Sequence, residues 1–74
     1  MTSADKIENA ARDNGWDVER FDPSTPLIRM RKAGVIIDVY LTKAASVRSA
    51  WFEFDGNVYQ IKGGAAEVIR QLGR

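Results

Sequence analysis

Ten carboxylates and eleven cations are the groups in this 74-residue sequence that could do chemistry, because histidine and cysteine are both absent. Without histidine, the commonest general base and the commonest transition-metal ligand are missing. Without cysteine there is no thiolate nucleophile, no thiolate ligand and no disulfide. Ser-His-Asp and Cys-His arrangements are ruled out. Asp13, Asp17, Glu19 and Asp22 fall close together, but they straddle an expected helix end, strand and turn and lack the ordered oxygens of a calcium loop. Gly63 and Gly64 precede an expected helix start, where an anion could meet free N–H groups. The Lys-Ser/Thr pair that completes a phosphate loop does not follow them, and a flexible strand-to-helix joint explains the glycines. Asp38 and Glu53 project from one expected sheet face, where two carboxylates could do acid–base work. Arg29 is nevertheless the expected partner of Asp38. The residues point to a protein that is not an enzyme and that needs no cofactor and no metal.

The same sheet face carries the more specific signal. Parity places Leu27, Arg29, Arg31, Ile36, Asp38, Tyr40, Trp51 and Glu53 on it. Of these, Arg29, Arg31, Ile36, Tyr40 and Trp51 are the candidate interaction residues. Exposed aromatics beside arginines suit the anchor of a protein interface, with a second copy or another protein as partner. They also suit single-stranded nucleic acid, with bases stacked on the rings and phosphates held by the arginines. A plainer use is packing, in which Trp51 covers arginine stems or lies beneath a loop. The leading expectation is a non-catalytic protein-interaction module, either a homodimer or a binder of another protein, and a weak single-stranded nucleic-acid-binding domain is the alternative.

These residues must be positioned by a small number of elements. Thr2 or Ser3 can cap a first helix, and Thr2 as N-cap puts Asp5 at the N3 position of a capping box. Ala4, Ile7 and Ala11 share one face of that helix, which Asn14 and Gly15 end. Only Ile7 is large there, so the helix must lie close to whatever it covers. Residues 16–21 read as a strand with Trp16 and Val18 inward, and Asp22, Pro23, Ser24, Thr25 and Pro26 as a turn. Residues 27–32 and 35–42 form a hairpin around Ala33 and Gly34. Its expected register pairs Met30 with Ile37 and Ile28 with Val39 on one face, and Arg29 with Asp38 and Leu27 with Tyr40 on the other. A three-residue loop would mix the faces. Residues 47–54 and 58–62 form a second hairpin around Asp55, Gly56 and Asn57, whose register stays open. Ala65, Val68, Ile69 and Leu72 give a second helix over residues 65–72 its apolar stripe, and at about two turns it must dock on the sheet to persist.

The expected fold is α+β, one domain over residues 1–74 in the order α-β-β-β-β-β-α. Both helices lie on one face of an antiparallel meander of about five strands. The expected core is Ile7, Trp16, Val18, Ile28, Met30, Val35, Ile37, Val39, Leu41, Phe52, Phe54, Tyr59, Ile61, Val68, Ile69 and Leu72.

The net charge of +1 hides an uneven distribution. Residues 1–22 hold six acids and three bases, and residues 23–74 hold four acids and eight bases. Mutual attraction between the two ends is the simpler use of that asymmetry, and steering of partners the other. The sequence contains no apolar run of about 18 residues and opens on polar residues without a secretory h-region, so the expected compartment is the cytoplasm, with no membrane partner. The stretch Ala4-Asp5-Lys6-Ile7 through Asn14-Gly15-Trp16-Asp17-Val18-Glu19-Arg20 resembles the start of small uncharacterised proteins from actinobacteria and their phages. In those a short helix ends at Asn-Gly-Trp, a few strands follow, and a short helix like that at 65–72 closes the chain. The resemblance implies a phage or bacterial accessory protein and brings no activity with it.

Overall fold

A computed structural model describes residues 1–21 and 26–73. The turn expected at Asp22, Pro23, Ser24 and Thr25 lies outside them. In chain order the elements are α1 (Ser3–Asp13), β1 (Asp17–Phe21), β2 (Leu27–Lys32), β3 (Val35–Leu41), β4 (Val47–Phe54), β5 (Asn57–Ile61) and α2 (Gly64–Leu72). The strands form one antiparallel sheet in the order β1-β2-β3-β4-β5. The expected order and meander are therefore the observed ones.

α1 begins where its sequence says. The Thr2 hydroxyl accepts from the Asp5 N–H at 3.2 Å, and the Thr2 N–H donates back to the Asp5 carboxylate at 3.1 Å, so two orphan donors are satisfied reciprocally. These hydrogen bonds, the backbone one first, hold the Asp5 carboxyl below its ordinary value. Asn14 caps the other end and Gly15 follows at φ 80°. Ala4, Ile7 and Ala11 are fully buried, and the Ala4 N–H donates to the Ala45 carbonyl at 3.0 Å. That bond ties the start of α1 to the loop between β3 and β4.

The β2–β3 register is the one argued from chemistry, with Met30 opposite Ile37, Ile28 opposite Val39 and Arg29 opposite Asp38. In the second hairpin Phe54 pairs with Asn57 and Phe52 with Tyr59, so the loop is the two residues Asp55 and Gly56. Both have positive φ, 52° and 78°, the requirement of a type I′ turn. Between β3 and β4 the register shifts, Tyr40 facing Ser49 while Leu41 faces Val47. Arg48 is the extra residue of this bulge. Without it, Val47 would share the parity of Ser49 and Trp51; with it, Val47 turns to pack against the core beside Leu41.

α1 packs on β1 and β2, α2 on β4 and β5, and the helices touch each other. The Trp16 indole N–H donates to the Leu72 carbonyl at 2.8 Å in a buried place, which satisfies one of the last carbonyls of α2. Among the described residues no polar or charged side chain is buried. The core holds Ile7, Trp16, Ile28, Met30, Ile37, Val39, Leu41, Val68 and Leu72, with Val18, Val35, Phe52, Ile61 and Ile69 half-buried at its margin.

Two expected core residues are not core. Phe54 is 50% exposed and Tyr59 58% exposed. Both point to the helix side of the sheet, as parity requires, but α2 runs only about 13.5 Å and ends against Trp16. It leaves the turn end of the β4–β5 hairpin bare. Ile37→Ala should therefore lower the free energy of unfolding by about 2–5 kcal/mol, whereas Phe54→Ala and Tyr59→Ala should each cost less than about 1 kcal/mol. Urea denaturation of the three variants measures the contrast, and a Phe54 loss as large as that of Ile37 would return it to the core.

Candidate functional site

On the sheet face away from the helices, alternation and register lay the side chains out in rows. One row runs Glu19, Arg29, Asp38, Trp51, Gln60; beside it runs Asp17, Arg31, Ile36, Glu53, Val58. On the other flank lie Phe21, Leu27, Tyr40 and Ser49. All five candidate residues, Arg29, Arg31, Ile36, Tyr40 and Trp51, thus fall on one continuous surface across β2, β3 and β4. Trp51 is 36% exposed, and Ile36 and Tyr40 are half-buried. Leu27 shares this face but is buried between its neighbours Phe21 and Tyr40.

The cations of this surface are already engaged. Arg29 grips Asp38 with two hydrogen bonds, Nε to one carboxylate oxygen at 2.8 Å and a terminal nitrogen to the other at 3.2 Å. The bidentate fork suits guanidinium and carboxylate geometry. The Asp38 hydrogen bond and then its charge raise the Arg29 pKa further above the ordinary guanidinium value. Arg31 lies 3.4 Å from Glu19. Among the described residues, the paired positions of this face carry four acids (Asp17, Glu19, Asp38, Glu53) against two bases (Arg29, Arg31), a net of −2. Asp38 and Glu53 do not stand as a free carboxylate pair, since Asp38 is committed to Arg29. Among the described residues no three acidic side chains gather as metal ligands.

The hairpin β4–β5 adds a second surface that parity alone does not reveal. Phe54 and Tyr59 on its helix side, with Val58 and Trp51 on its other side, are four of the six large apolar residues that are exposed among the described residues. Phe52 and Tyr59 are tilted against each other with ring centroids 6.3 Å apart. Between β5 and α2 lies an open groove of about 400 Å³, walled by Phe52, Tyr59, Ile61, Lys62, Glu67 and Gln71 among others. A smaller hollow of about 200 Å³ beside Trp16, Lys32 and Val35 shares Phe52 and Gln71 with it. The length of the second helix was the available signal, because two turns cannot cover an eight-residue strand that extends about 26 Å.

Comparisons of the chain with protein-family models, with curated proteins and with solved structures find no match. No helix of the described residues is long and apolar enough to cross a membrane.

The engaged state of Arg29 is open to measurement. Its side chain is 34% exposed and that of Asp38 20%, so solvent screens the pair and its worth is modest. A double-mutant cycle with Arg29→Ala and Asp38→Ala should give a coupling of about 0.5–1 kcal/mol at low salt, shrinking at high salt. A coupling of zero at low salt would mean that the guanidinium is free for a ligand.

Proposed function

We propose that this chain is a non-catalytic protein-interaction module that acts as a homodimer through the β4–β5 end of its sheet. One observation carries the reading: Trp51, Phe54, Val58 and Tyr59 leave apolar surface on both sides of a single hairpin. Large apolar side chains left exposed together at one end of a small domain mark a contact to be covered, and aromatic residues are the side chains that anchor such contacts. The remainder of the outer face fits the polar rim of an interface. Nucleic acid is the poorer ligand. Arg29 and Arg31 both have carboxylate partners, and a face with a net of −2 repels phosphate. The cytoplasm is the proposed compartment, where a chain free of cysteine loses nothing to a reducing environment. An accessory role of the phage or bacterial kind is compatible with such a module.

Sedimentation equilibrium from micromolar to millimolar concentration tests the reading. The average mass should rise with concentration from that of one chain to that of two. A mass that stays at one chain through the millimolar range would overturn it.

A further inference from the structure

We infer that two copies of this chain join edge to edge through β5, antiparallel and centred on Tyr59, so that two five-stranded sheets become one. The inference rests on the homodimer reading and supplies its geometry. It begins from the unequal edges of the sheet. β1 carries Asp17, Glu19 and Arg20 among its five residues, and Arg20 is tied to Glu8 of α1 at 3.3 Å. Charges of this kind are how natural sheets prevent edge pairing. β5 reads Asn57, Val58, Tyr59, Gln60, Ile61, with no charge, no proline and a regular register to β4. It is the one edge left suitable for another strand.

The hairpin geometry then fixes which backbone groups are free. A two-residue loop makes Phe54–Asn57 a hydrogen-bonded pair, and alternation makes Phe52–Tyr59 and Ala50–Ile61 hydrogen-bonded as well. The N–H and C=O groups of Val58 and Gln60 consequently face away from β4. Antiparallel pairing about Tyr59 sets Val58 opposite Gln60 of the second copy, and Gln60 opposite Val58 of the second copy. Both outward pairs are met in one register. Tyr59 faces Tyr59 of the second copy as a non-hydrogen-bonded pair, the closer kind, on the helix side where each ring is 58% exposed. On the other side Val58 of the second copy enters the row that holds Trp51 and Gln60.

Charge supports the same operator. Asp55 precedes β5 and Lys62 follows it, and neither has an ion-pair partner among the described residues. The two-fold about Tyr59 sets the turn that carries Asp55 in one copy beside the Lys62–Gly63 end of β5 in the other, so opposite charges lie near each other at both ends of the joint. A parallel arrangement would set like beside like.

The test uses the central pair. Tyr59→Lys and Tyr59→Glu each place like charges directly opposite across the two-fold, and should weaken association by at least about tenfold while the circular dichroism stays that of the wild type. An equimolar mixture of the two variants should recover the mass of a dimer, because a joint centred on this position sets lysine against glutamate. If both variants dimerise as the wild type does, the joint lies elsewhere and only the homodimer reading survives. If the variants are monomeric and the mixture does not pair, the register is wrong. A monomeric wild type would remove the homodimer reading and this joint together. Should a Tyr59 variant fail to fold, Val58→Lys gives the edge the lysine that blocks pairing in natural sheets; it should yield a monomer, and a retained dimer would overturn the joint.

Discussion

The hydrogen bond from the Trp16 indole to the Leu72 carbonyl decides where the second helix can lie. The start of α2 is set by the chain, which leaves β5 at Ile61 and turns through Lys62 and Gly63. Its end is set by Trp16, fifty-six residues earlier and immediately before β1. An unmet buried carbonyl costs about 1–3 kcal/mol, so the indole selects one position for the last turn. Lys32 supports the same corner, its ammonium 6.0 Å from the indole ring and 2.6 Å from the Asn14 carbonyl that ends α1. Helix ends and strand starts are thereby pinned together at one side of the domain. The opposite consequence falls on the β4–β5 hairpin, whose turn end no helix reaches.

Electrostatics and packing divide the two faces of the sheet differently from the way residue types suggest. On the outer face the arginines bridge neighbouring strands, Arg29 across β2 and β3 and Arg31 across β1 and β2. The acid-rich opening of the chain is spent in the same manner, with Glu8 meeting both Arg12 and Arg20 and Glu19 meeting Arg31. Such exposed pairs contribute little stability each. Their structural effect is to blunt β1 as an edge, which leaves β5 as the uncharged one.

Much of the fold was legible because several local signals agreed. Thr2, Asp5, Ala4, Ile7, Ala11 and Gly15 all specify one helix, and the register of β2 with β3 follows from keeping Arg29 with Asp38 and Met30 with Ile37. What parity cannot convey is coverage. Parity puts Phe54 and Tyr59 on the correct face, yet they stand in the open, because burial depends on where a distant helix ends. The Arg48 bulge has no compositional mark, and Ala33 takes φ 50° in a turn position that Asn or Gly fills more cheaply. Of the candidate site, the face was readable and the pairing of Arg31 with Glu19 was not, since that pairing needs the register of β1 against β2. That β5 is an edge follows from the expected meander, but which of its backbone groups face outward emerges only from the observed register of the β4–β5 hairpin.

Residue-resolved amide hydrogen exchange tests the central claim most directly, because β5 alternates between amides that face β4 and amides that face outward. At low concentration the N–H groups of Val58 and Gln60 should exchange fast while those of Tyr59 and Ile61 are protected. As the protein is concentrated into the dimer, Val58 and Gln60 should slow and join their neighbours. Fast exchange at Val58 and Gln60 in a sample whose mass is that of two chains would contradict the account.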